Sequence, residues 1–151
     1  MPPSEIAVDP QDPAALAEAL RPGLMRVSRR LRQEAQKAGV SALEAMLLGE
    51  IRRQPGVGVC ELADSERISR PAMSSHVKRL EAEGWIVRIE DAEDGRRSGL
   101  AVTPAGLRRL DRIRRLRNDW LAARLSSLTP EARALLAAAA APLAQLLSAE
   151  P

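Results

Sequence analysis

Between Pro13 and about Ala38, apolar residues stand at Leu16, Leu20, Leu24, Val27 and Leu31. Steps of three and four put them on one face of a helix. Pro22–Gly23 falls inside that stretch and predicts a kink or a short break. Gly39 supplies a stop. Ser41 then opens a second helix, with Glu44 placed to complete a capping box, and Leu43, Met46, Leu47 and Ile51 form its buried stripe. Pro55–Gly56 closes it. A short third helix is expected from about Val59 to Glu66, capped by Gly58, with Leu62 and Ala63 inward.

The stretch ISRPAMSSHVKRLEAEGW, residues 68–85, predicts a fourth helix. Ser69 is its cap, Pro71 sits in its first turn and Gly84 stops it. IVRIE (86–90) and SGLAVT (98–103) then read as two strands of a hairpin around the loop DAEDGRR (91–97). Thr103–Pro104 opens a long helix to about Arg124, with Leu107, Leu110, Ile113, Leu116 and Trp120 on one side. Thr129–Pro130 opens a last helix to about Ala149. The expected architecture is mainly α with a small β-hairpin wing (α+β). It is a winged helix-turn-helix flanked by long N- and C-terminal helices. The expected divisions are a flexible tail over 1–12, an N-terminal helix over 13–40, a winged helix-turn-helix domain over 41–103 and C-terminal helices over 104–151.

On a helical wheel, Ala72, Met73, His76, Val77 and Leu80 form one core stripe. The opposite face carries Arg70, Ser74, Ser75, Lys78 and Arg79, and Glu81 and Glu83 come only in the last turn. A recognition helix needs that layout: hydroxyls meet base edges in the major groove and cations meet phosphates. The same layout is also that of an ordinary solvated amphipathic helix, and the neighbouring elements decide between the two. Arg96 and Arg97 at the hairpin tip suit a wing that lays an Arg into the minor groove, and Asp94 is placed to orient it.

Charge supports placement rather than bulk attraction. The net charge is +3, but residues 41–103 hold nine cations and eleven anions, while 104–124 hold seven arginines and two aspartates. A basic helix face in an acidic domain favours duplex DNA. The alternative is a winged-helix scaffold for protein partners without specific DNA binding.

The run CELADSERISRPAMSSHVKRLEAEGWIVRIEDAEDGRRSGLAVTPAG resembles the winged helix-turn-helix of the multiple antibiotic resistance regulator (MarR) family. ELA, ISRPAM, VKRLEAEGWIVR, the DGR of EDGRR and VTPAG carry the resemblance, in matching order and spacing. The flanking helices match in layout only. The resemblance implies a homodimer that binds double-stranded DNA and represses transcription, relieved by a small-molecule effector or by oxidation. Carried over by motif, the recognition positions are Ser69, Arg70, Pro71, Ser74, Ser75, Lys78 and Arg79, with Arg96 in the wing. Three positions depart from the family pattern: Gly95 stands in place of a second Arg, Gly58 in place of a capping Thr, and His76 in place of an apolar residue.

Other chemistry is sparse. One His and one Cys, with no phosphate-binding loop or metal-ligand spacing, give no basis for an enzyme, a cofactor or a metal site. His76 reads as a hydrogen-bonded core histidine and Cys60 as a structural residue. A single cysteine excludes an intrachain disulfide and suits the cytoplasm. The N-terminus lacks a secretory signal pattern. The apolar run LLAAAAAPLAQLL is shorter than the ~20 residues a bilayer requires, so no membrane is expected. Met25, Arg29, Met46, Leu47 and Trp120 border the region where a family ligand would lie, but helix cores look the same, and no ligand site is assigned.

Overall fold

The computed structural model of the protein describes residues 8–90 and 98–148. The order is α1 (Pro13–Gln36), α2 (Ala42–Arg53), α3 (Val59–Ser65), α4 (Arg70–Ala82), β1 (Ile86–Glu90), β2 (Ser98–Val102), α5 (Pro104–Ser126) and α6 (Pro130–Ser148). This is the expected sequence of four helices, a hairpin and two helices.

Local chemistry sets the helix starts. The Asp12 carboxylate accepts the N–H groups of Ala14 and Ala15. At α2 the capping box is complete: Ser41 Oγ accepts the Glu44 N–H at 3.1 Å, and Glu44 Oε2 accepts the Ser41 N–H at 3.0 Å. Gly58 has no side chain to cap α3, but its N–H donates to Glu61 Oε2 at 3.2 Å. Ser69, Thr103 and Thr129 cap α4, α5 and α6 through their hydroxyl oxygens. Each such cap is worth about 1 kcal/mol.

The expected break at Pro22 is absent: α1 runs unbroken through it. Proline removes one helical hydrogen bond, to the carbonyl of residue 18. Both Glu18 and Pro22 are exposed, so water can satisfy that carbonyl. α6 likewise runs through Pro142.

One core joins the elements around the hairpin. Leu47, Leu48 and Ile51 from α2 meet Leu62 and Ala63 from α3, and Met73, Val77 and Leu80 from α4. Trp85, Ile86 and Leu100 close it from the hairpin side, Ala35 from α1, Ala38 and Val40 from the turn after α1, and Ile113 from α5. The strands pair antiparallel, from Ile86↔Val102 to Glu90↔Ser98. The α2–α3 loop adds one bridge, Val57↔Leu100.

α5 is welded to the end of α4. Gly84 adopts φ +70, a left-handed conformation that suits glycine, and ends α4 with bonds from Gly84 N to Glu81 O and from Trp85 N to Leu80 O. Thr103 then donates twice into this turn, its N–H to Trp85 O at 2.9 Å and its hydroxyl to Gly84 O at 2.6 Å. A Cβ on Gly106 would overlap the Trp85 carbonyl oxygen, so α5 sits directly on the turn. Further along α5, Arg109 donates to Ala38 O while its guanidinium lies 4.6 Å from the Trp85 ring centroid. Arg117 Nε donates to Leu31 O at 3.3 Å. Two arginines thus tie α5 to the C-terminal part of α1 and the turn that follows it.

The outer parts of the long helices stay uncovered in the single chain. Leu16, Leu20 and Leu24 of α1 are exposed, and in α6 Leu135 is 74% and Leu147 83% exposed. Between them lies an open apolar groove of about 470 Å³, bordered by Leu16, Leu20, Leu24, Met25 and Leu146.

Candidate nucleic-acid interface

α3 and α4 are joined by a tight turn at Arg67, which adopts φ 53. Arg67 N donates to Asp64 O and Ile68 N to Ala63 O, the bonding pattern that usually ends on a glycine. The turn aims α4 outward. Met73, Val77 and Leu80 anchor its inner face in the core, with Ala72 and His76 half-buried at the edge of the stripe.

The outer face holds the sequence-predicted residues together, but in different states of engagement. Arg70, Pro71, Ser75, Lys78 and Arg79 are exposed and Ser74 is half-buried. Ser69 Oγ accepts the Ala72 N–H at 3.4 Å, and the Ser75 hydroxyl donates back to Pro71 O at 3.2 Å. Arg70 lies 3.9 Å from Asp64 in an exposed, loose pair. Arg79 Nε pairs with Glu44 Oε1 at 3.0 Å. Lys78 and Ser74 have no side-chain partner among the described residues. Asp94, Arg96 and Arg97 of the wing tip lie outside the described residues.

At the far end of α4, Glu81 is neutralised. Arg88 on β1 grips it with a fork, Nε to Oε1 at 2.9 Å and Nη2 to Oε2 at 3.3 Å, and reaches Ser98 Oγ at 3.4 Å. One guanidinium therefore fixes the base of the hairpin against α4 and removes an acid from the edge of the basic face.

Sequence reasoning missed both Arg88 and the Glu44–Arg79 pair. Arg88 had a local signal, a cation seven residues after a carboxylate across a tight glycine turn. Glu44 and Arg79 had none, being on different helices and far apart in the chain. Two expectations are corrected. His76 is not enclosed in the core: it is half-buried and makes no hydrogen bond to another described residue. Cys60 is exposed on α3 and free, so it does not pack the core. A stripe position and a helix start are each visible to sequence, but the depth of cover over them is not. Among the described residues no group of three or more His, Cys, Asp or Glu is arranged to hold a metal ion, and no helix is long and apolar enough to cross a membrane.

Residues 38–97 match the sequence profile of the MarR family. Over 138 residues the chain is 30% identical to an uncharacterized HTH-type transcriptional regulator of Mycobacterium bovis, covering 91% of this chain and 96% of that one. A crystal structure of a Pseudomonas aeruginosa protein is similar with a TM-score of 0.77 at 35% identity, over 90% of this chain and 95% of that chain. A Staphylococcus aureus MepR variant bound to an oligodeoxyribonucleotide shares the fold, with a TM-score of 0.66 at 20% identity, over 88% of this chain and 96% of that chain.

Proposed function

The chain belongs to the MarR family of helix-turn-helix transcriptional regulators, and from that premise we propose that it is a homodimeric repressor that binds a pseudo-palindromic DNA operator. One observation carries the reading. α4 presents a basic, hydroxylated outer face with Lys78 and Ser74 unengaged among the described residues, and its flanking Glu81 is cancelled by Arg88. In the major groove Ser74 would meet a base edge and Lys78 a phosphate. Ser69, Arg70, Pro71, Ser75 and Arg79 complete the surface. Arg96, with Arg97 beside it and Asp94 orienting it, would enter the minor groove. That a MepR variant with this fold was solved on an oligodeoxyribonucleotide supports the reading.

The second copy follows from the uncovered leucines of α1 and α6, which need an apolar partner surface. A two-fold axis sets two α4 helices on one face of the duplex, with half-site centres about 10 base pairs apart. The test is titration of duplexes recovered by selection from random sequence, with and without about five extra base pairs between the half-sites. Affinity should collapse on insertion, because half a helical turn carries one site to the wrong side. Undiminished affinity would overturn two-fold recognition. Binding insensitive to salt would favour a protein-interaction scaffold over a DNA-binding face.

A further inference from the structure

We propose that Glu44 is a positioning residue for DNA binding: from beneath α4 it holds the Arg79 guanidinium in place for a backbone phosphate. The inference rests on the DNA-binding reading above. The Glu44 side chain is 2% exposed, and its two oxygens do separate work. Oε2 accepts the Ser41 N–H at 3.0 Å and closes the cap of α2, while Oε1 forms an ion pair with the Nε edge of the Arg79 guanidinium at 3.0 Å. A buried carboxylate demands a cationic partner, so this contact is held firmly.

The contact lies at the Nε edge of the guanidinium and leaves the four N–H groups of the terminal nitrogens clear of Glu44. The Arg79 side chain is nevertheless 65% exposed. It is therefore anchored at Nε and open to solvent at its far edge, on the same face as Ser75 and Lys78. An unanchored surface arginine must be ordered when DNA binds, which costs affinity by about three- to tenfold for a long side chain. Glu44 removes that cost beforehand. Arg79, unlike Lys78, is thus a preset contact.

Simple electrostatics predicts the opposite sign. A carboxylate beneath the DNA face repels phosphate, so on charge alone its removal tightens binding. The experiment is a titration of the full-length protein on its selected duplex over a series of salt concentrations. Glu44→Gln preserves shape and can still complete the capping box. It should bind about three- to tenfold more weakly than the wild type, with an unchanged salt slope because the phosphate contact survives. In an Arg79→Ala background the same Glu44→Gln change should no longer weaken binding. Arg79→Lys keeps the charge but lacks the planar guanidinium whose Nε edge pairs with Glu44, and gives a second route should Arg79→Ala fold poorly. It too should lose about three- to tenfold. Tighter or unchanged binding by Glu44→Gln, equal losses in both backgrounds, or wild-type affinity in Arg79→Lys would overturn the proposal. A wild type that binds no duplex even at low salt would overturn the DNA-binding reading and this proposal with it.

Discussion

The helices around the hairpin and the outer halves of the long helices solve the burial problem in different ways. Leu47, Leu80, Ile86 and Leu100 are fully enclosed within one chain. Leu135, Leu136, Leu146 and Leu147 of α6, and Leu20 and Leu24 of α1, remain in solvent. Both regions have helical apolar stripes, but only the first has neighbours on all sides. The head, the region around the hairpin, encloses its own core, whereas the stalk, the outer halves of the long helices, leaves its apolar stripes exposed in the single chain. Polar bonds link them, from Thr103 to Gly84 and Trp85 and from Arg109 to Ala38, and so do apolar side chains of the long helices, Ala35 and Ile113, that enter the core.

The strongest way to break this contrast is inside the head. Leu47→Ala should lower the unfolding free energy by about 2–5 kcal/mol, read by denaturant titration, because the enclosed site leaves a cavity. The loss should be the same at every protein concentration. A concentration-dependent loss would show that the head also needs the second copy.

In the stalk the effect should appear in assembly. Burying a leucine is worth about 1.5–3 kcal/mol, so Leu20→Asp should weaken self-association by at least roughly tenfold. Sedimentation over a dilution series measures this. The head should still unfold cooperatively in the resulting monomer. A variant that associates as tightly as the wild type would move the interface away from α1.

The smallest effect on the fold is expected at the outer face of α4. Lys78→Ala should change stability by no more than about 0.5 kcal/mol and reduce the salt slope of DNA binding by about one unit. An unchanged slope would remove Lys78 from the phosphate contacts.

What could be read from sequence was what short range decides. Ser41 with Glu44, Ser69, Thr103 and Thr129 cap their helices through residues three positions away, and Gly84 ends α4 through its own backbone freedom. The outer face of α4 was legible from periodicity. The engagement of its residues was not. Whether Arg79 is free or held depends on Glu44, brought beside it only by the packing of α2 against α4. The same limit applies to Arg109 and Arg117, whose acceptors are carbonyls of the turn after α1 and of α1, and to Cys60 and His76, whose exposure depends on neighbours from other elements. Pro22 failed as a breaker because a helix surrounded by water tolerates one lost bond.

The chain has two tryptophans and no tyrosine or phenylalanine. Trp85 closes the head beneath Arg109, and Trp120 lies on α5 in the stalk, flanked by Arg30 and Arg124 at 5.9 Å each. Near-ultraviolet excitation therefore finds one emitter in each half of the molecule and no tyrosine background. The enclosed indole of Trp85 and the half-buried indole of Trp120 see different polarity, so their emission bands are separable by replacing either one. The protein carries its own pair of optical reporters, one beside the hairpin and one on α5.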